Sequence, residues 1–308
     1  MITIYYSRAR ERALQILEQS RAGSWVAVTA PSDDELNMLS ETYGLNKDNL
    51  EDAIDIYEAP RVETDQGAVY IYTRYCHPEG IEIATEPLLI VYTSDYIFTV
   101  SRIETSILDR LVRDQLEFVT TQKAKTVLWM LAEINTSYEK HLTKVARRVL
   151  QTRADMRQSR LSAKEFVRII ELEEDLNEFL SALQPQALLF SALLGGKYLR
   201  LYEDDRDMIE DIERSTGELI GQVQGRLRTL MNMRQAYDAI ATTNLNATFK
   251  RLTSIAIFLT IPTIVGGLWG MNVAVPFASN SHAFLIVIGI VLGLSTLAVI
   301  IFRRNKWL

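Results

Sequence analysis

Two sets of side chains in this sequence have the type and spacing to act on an ion. The first recurs every three or four residues, from Asn246 through Phe249, Thr253, Ala256, Thr260, Thr263, Gly267 and Gly270. That spacing puts them on one face of a helix. No Asp, Glu, Lys or Arg occurs from Leu252 to Phe302, so most of this face lies in uncharged surroundings. A cation there would meet amide and hydroxyl oxygens and no carboxylate. Such ligands suit a hard ion that keeps its water. Mg2+ dehydrates reluctantly and is often held through its hydration shell, whereas Ca2+ would recruit several carboxylates directly. The missing charges exclude a proton relay or an ion-pair-coupled carrier. Two readings of the stripe stand at this point: it faces water, or its small and hydroxylated residues mediate helix packing. The second set is acidic: Glu203, Asp204, Asp205, Asp207, Glu210, Asp211 and Glu213. It is either a cation site or a solvated helix start favoured by the helix macrodipole.

Other chemistries find little support. The single Cys76 excludes a disulfide framework and a Cys-rich metal site. His77, His141 and His282 are far apart in sequence and form no zinc-hydrolase pair. The dipeptide Cys76-His77 falls at a strand end and is a poor candidate for catalysis. There is no GxGxxG, P-loop or GxSxG motif, which argues against nucleotide binding and acyl transfer. A formal charge of −6 argues against nucleic acid as a partner.

The elements that must position these residues follow from hydropathy. Leu252–Met271 and Ala283–Phe302 are two uncharged 20-residue stretches. Each would be ~30 Å long as a helix, the thickness of a bilayer core. The alternative, a buried hairpin in a soluble core, is rare for two such stretches in succession. Lys250 and Arg251 precede the first, Arg303, Arg304 and Lys306 follow the second, and the 272–282 connection has no Lys or Arg. The positive-inside rule then puts both termini in the cytoplasm and the connection outside, in a cell (inner) membrane. The N-terminal MITIYYSRARERAL lacks the apolar run of a signal peptide. Strands are expected at Met1–Tyr6, Ser24–Thr29, Ala68–Tyr75, Glu86–Thr93 and Tyr96–Val100. Ser32 and Glu35 read as a capping box. Residues 123–190 read as an antiparallel helical pair broken near Gln151–Ser162. A long helix is expected from about Tyr202, with an apolar stripe at Ile212, Leu219, Val223, Leu227, Leu230, Tyr237 and Ile240.

These elements point to self-association. Residues 207–271 as one helix would run about 97 Å, too far for one small domain to cover. Gly217, Gly221 and Gly225 lower helix propensity by roughly 1 kcal/mol each, which suggests close approach by another helix. Gly289 and Gly293 form a lone GxxxG that suits an outer helix packed on the first. Two spans cannot enclose a pore, so transport would need several copies around an axis.

The first span ends in Trp269-Gly270-Met271-Asn272, which resembles the Gly-Met-Asn signature of the CorA magnesium transporter family. Asn246-Ala-Thr-Phe-Lys-Arg-Leu-Thr253, Pro262, the terminal RRNKWL and LEDAIDIYEAPRVE (50–63) are similar to that family as well. The resemblance covers essentially the whole chain. It implies an α+β cytoplasmic domain, a long stalk helix and two transmembrane helices, assembled as a homopentameric funnel. The segments would be 1–122 (α/β domain), 123–201 (helical pair), 202–251 (stalk), 252–271 (first span), 272–282 (external loop), 283–302 (second span) and 303–308 (basic tail). It implies Gly270, Met271 and Asn272 as the selectivity filter. Thr263 and Asn246 would form further polar rings, and Phe249, Leu252 and Thr260 a constriction. Leu252, Thr253, Ala256 and Gly267 complete the pore lining. Thr260 is polar where the family carries a bulky apolar residue, and the external loop VAVPFASNSHAF lacks the acidic residue of many members. The resemblance implies Mg2+ as transported and regulatory ion, no organic cofactor, lipid and copies of itself as partners, and no enzymatic activity. Asp211, with Glu79 and Asp207, would sense internal Mg2+ between neighbouring subunits. Cobalt, nickel or zinc transport by the same fold, and a membrane-anchored scaffold without transport, are the alternatives.

Overall fold

The computed structural model describes residues 1–8, 11–79, 82–113, 119–158, 163–277 and 281–305. The side chains of 11–13, 78–79, 82–83, 113, 157–158 and 163 lie outside the description. The chain forms two compact units, Met1–Met233 and Arg234–Leu308.

In the first unit, seven strands form one mixed sheet: β1 (Ile2–Arg8), β2 (Glu11–Leu17), β3 (Trp25–Thr29), β4 (Arg61–Asp65), β5 (Ala68–Glu79), β6 (Glu82–Tyr92) and β7 (Ile97–Ser101). Their order is β2-β1-β3-β7-β6-β5-β4, antiparallel except for the parallel β3–β7 pair. The central strands read as unbroken apolar runs because both faces are covered. Helices α1 (Asp33–Tyr43) and α2 (Lys47–Asp52) bring Leu36, Leu39 and Leu50 onto one face, against Val26, Tyr70, Leu89 and Phe98. The other face, with Trp25, Ile71, Leu88 and Ile97, is covered by α3 (Asp109–Arg113), α4 (Lys123–Gln158), α5 (Ala163–Leu194) and the start of α6 (Glu203–Trp269).

Sequence periodicity accounts for the helices. In α4, Val127, Leu131, Ile134, Tyr138, Leu142 and Val145 are buried at spacings of three and four. In α6, Ile209, Ile212, Leu219, Val223 and Leu230 are buried, Leu227 is partly buried and Ile240 is exposed. A polar clasp joins α4 to α6: Thr216 Oγ1 donates to Asn135 Oδ1, and Asn135 Nδ2 to Ser215 Oγ. Ser32 caps α1 as expected, its hydroxyl accepting from the Glu35 N–H while Glu35 accepts from the Ser32 N–H.

Strands β2 and β4 were not expected. They are the two edges of the sheet, and edges carry charge and little apolar pattern. β4 reads RVETD, and Ile16 of β2 is exposed. Strand β5 continues past its expected end at Tyr75 to Glu79, so Glu79 belongs to the strand. The segment LEDAIDIYEAPRVE is tied to the sheet by Arg74, which donates from Nη1 to the carbonyls of Ile56 and Glu58 and from Nε to Thr85 Oγ1.

The second unit holds the remainder of α6 and α7 (Ala283–Arg304), two helices long and apolar enough to cross a membrane. The 67 residues of α6 continue through Pro262. A Cβ built on Gly217, Gly221 or Gly225 meets nothing within 4 Å among the described residues. The close approach expected at these glycines is therefore not made by the described residues of the chain.

Candidate permeation and regulatory residues

The outer half of α6 has two chemically distinct faces. Ser254 and Val265 are buried, and Ile261 and Trp269 are partly covered. These positions repeat at three- and four-residue multiples and share one face of the helix, and Ser295 of α7, in the same unit, is buried as well. Asn246, Phe249, Thr253, Ala256, Thr260, Thr263 and Gly267 are exposed, as is Leu252 beside them. At ~100° per residue the mean direction of this stripe lies about 150° from that of the covered positions. The stripe therefore points away from the covered positions, and burial among the described residues does not account for its small and hydroxylated residues.

The hydroxyls on the stripe are oriented. Thr260 Oγ1 donates to the Ala256 carbonyl at 2.7 Å and Thr263 Oγ1 to the Leu259 carbonyl at 3.1 Å. With the proton committed to the backbone, the oxygen lone pairs are left facing outward as acceptors. A bare Mg2+ or the hydrogens of its water shell would meet these oxygens.

Helix α6 ends at Trp269, and Gly270 closes the last turn by donating its N–H to the Gly266 carbonyl at 2.9 Å. A Cβ at Gly270 would sit 3.2 Å from that same oxygen. Met271 and Asn272 follow outside the helix, both exposed. The connection to α7 carries no carboxylate.

The acidic segment resolves into separate roles. Glu203, Asp204 and Asp205 occupy the first turn of α6. Asp205 is buried and accepts the Tyr202 N–H at 3.1 Å, so it acts as a helix cap. Glu213 is hydrogen-bonded to Ser191. Asp211 is exposed and ion-paired with Arg214 at 2.6 Å, a partner that sequence reading passed over although the i,i+3 spacing signals it. Asp207 is exposed. Glu79 ends β5, and its side chain lies outside the described residues.

His77 and His141, distant in sequence, line one cleft of about 410 Å³ together with Cys76. Among the described residues no group of three His, Cys, Asp or Glu side chains is arranged to hold a metal ion. Burial pushes the Cys76 thiol well above its usual range, which removes the thiolate needed for a nucleophile. His141 Nδ1–H donates to the Ser137 carbonyl at 2.8 Å, and burial, with Lys144 and Lys140 nearby, lowers its pKa.

The model of the family described as CorA-like Mg2+ transporter protein matches residues 20–304. The chain belongs to this family. A relative from Methanocaldococcus jannaschii, named cobalt/magnesium transport protein CorA, is 26% identical over 296 residues, covering 92% of this chain and 91% of its own. The complete structure of the CorA magnesium transporter from that organism superposes with a TM-score of 0.86 at 23% identity, covering 100% of this chain and 99% of that one. The full-length CmaX protein gives a TM-score of 0.77 at 17% identity, covering 99% and 97%. The fold of this CorA-family chain is thus that of the complete CorA transporter, with an α+β unit, a long helix and two helices long and apolar enough to cross a membrane.

Proposed function

We propose that this CorA-family protein is a divalent-cation channel that carries hydrated Mg2+ down its electrochemical gradient. Five copies would assemble around an axis, with the α6 stripe of each turned inward. The observation that carries this reading is the placement of the stripe. It is uncharged, oxygen-bearing, exposed in the single chain and turned well away from the buried positions Ser254 and Val265. Another copy is the natural cover for such a face in a membrane, and a shared wet axis gives its acceptors a ligand.

In this proposal Gly270, Met271 and Asn272 form the outer filter, where Asn272 side-chain oxygens accept hydrogens from the ion's water. Thr263, Thr260 and Asn246 offer further polar levels, and Phe249 and Leu252 the apolar constriction, with Thr253, Ala256 and Gly267 between them. Neutral ligands in a hydrocarbon surround hold an ion weakly enough to release it, which conduction requires. The termini would be cytoplasmic and the 272–282 loop external, in the inner membrane, with the segments 1–122, 123–201, 202–251, 252–271, 283–302 and 303–308 as the working parts. The relative's name, cobalt/magnesium transport protein, supports cobalt as a second cargo.

Regulation would lie between neighbouring cytoplasmic units, with Asp211, Asp207 and Glu79 as the carboxylates that internal Mg2+ bridges. The Asp211–Arg214 pair gives this proposal a specific form: a divalent ion must displace the guanidinium to bind. Uptake of Mg2+ and Co2+ into reconstituted vesicles tests the reading. Saturable flux that falls at least about tenfold in Asn272→Ala is expected. Absence of flux from a folded oligomer would favour the anchored scaffold instead.

A further inference from the structure

Between Ile209 and Leu230, the covered stripe of α6 is interrupted by one buried polar side chain. Ile209, Ile212, Leu219, Val223 and Leu230 are buried and apolar, and Thr216 stands among them, fully buried. Its partner Asn135 is buried on the same face of α4 as Leu131, Tyr138 and Leu142. Thr216 Oγ1 donates to Asn135 Oδ1 at 2.9 Å and shares that proton with the Ile212 carbonyl at 2.8 Å. Asn135 Nδ2 donates to Ser215 Oγ at 2.9 Å. One amide thus holds two successive residues of α6.

Lys123 and Lys125 at the start of α4 and Asp204 and Asp205 at the start of α6 line one cleft, so the two helices run parallel from a common end. Apolar packing alone does not fix how far one has slid along the other. Apolar contact is non-directional, and a stripe repeating every three or four residues meets its cover again after a slip of one turn. A hydrogen-bonded pair is satisfied at one register only. Slippage would leave the buried Asn135 amide without its partners, which is costly in an apolar surround. A single buried Asn fixes register between paired helices by this means. Asp211 and Arg214 lie within about a turn and a half of the clasp on the same helix.

We infer that Asn135, through Ser215 and Thr216, is a positioning residue that locks the axial register of α6 against α4 and so sets where Asp211 stands for the internal Mg2+ response. Helix α6 is continuous from the clasp to Trp269. The consequence for transport rests on the regulatory reading proposed above; the clasp itself does not.

The double variant Asn135→Leu/Thr216→Val removes both polar partners and keeps apolar cover, so the fold is expected to survive it. Thr216→Ser keeps the hydroxyl and serves as the conservative control. Spin labels on Lys144→Cys and Glu218→Cys, both exposed positions, report the α4–α6 distance in the full-length protein in detergent, with labelled chains diluted in unlabelled ones; Cys76 is buried and stays unlabelled. One narrow distance is expected with the clasp intact and in Thr216→Ser. A broadened distribution, or a shift of about 5 Å for a slip of one turn, is expected in the double variant. In reconstituted vesicles, the internal Mg2+ that halves flux is expected to rise about fivefold or more in the double variant and to keep its wild-type value in Thr216→Ser, with flux at low internal Mg2+ unchanged. An unaltered distance in the double variant, or an unmoved half-inhibition where wild type is inhibited, would overturn the inference. A wild type that internal Mg2+ does not inhibit contradicts the regulatory reading instead, and the distance measurement then decides the clasp.

Discussion

Asp211 and Arg214 are both about 70% exposed as side chains, at 69% and 72%. An exposed pair of this kind contributes ~0.2–1 kcal/mol, enough to shift a competing cation's affinity by up to about fivefold. In Arg214→Ala, half-inhibition of transport by internal Mg2+ is therefore expected at a concentration up to about fivefold lower, read from vesicle flux at graded internal Mg2+. Asp211→Lys is expected to abolish that inhibition. His141 supplies a second prediction. Burial lowers its folded pKa below 6.5, so the unfolded chain binds the proton more readily. Stability from this group is complete above pH 6.5 and falls as pH drops through the window below it. The thermal midpoint of wild type is expected to fall on acidification from pH 7 to 5 more than that of His141→Gln. The stripe from Asn246 to Gly270 was legible at this scale because helical spacing is written in the chain. The cleft shared by His77 and His141 was not, because the sheet and α4 bring together residues that no local pattern links.

Elements were legible where their cover is complete. The apolar runs of β5, β6 and β7 and the three-four spacing in α4 and α6 reflect burial on a sheet or along a helix face. β2 and β4 escaped because an edge strand pairs on one side only and carries charge on the other. Ser32 shows how far a local signal can be trusted: both bonds of its capping box form. Ser32→Ala is expected to cost about 1 kcal/mol, measured by chemical denaturation and read as a lower midpoint at unchanged slope. The three stalk glycines mark the limit. Their spacing is plain, but no described residue comes within 4 Å of a Cβ built there, so the sequence could suggest an approach without naming its partner.

At the scale of the whole molecule, the open face of α6 and the stalk glycines both ask for further copies of the chain. Native mass of the detergent-solubilised protein is expected to give five subunits; a strict monomer would leave both surfaces without cover. The claim at the centre is that cations cross along the α6 stripe. Its most direct test is Mg2+ uptake into vesicles held at an inside-negative potential, comparing wild type with Ala256→Lys, which sets a positive charge on the stripe without touching the filter. The account predicts saturable uptake by wild type and background uptake by the correctly assembled variant. Undiminished uptake by Ala256→Lys would contradict it.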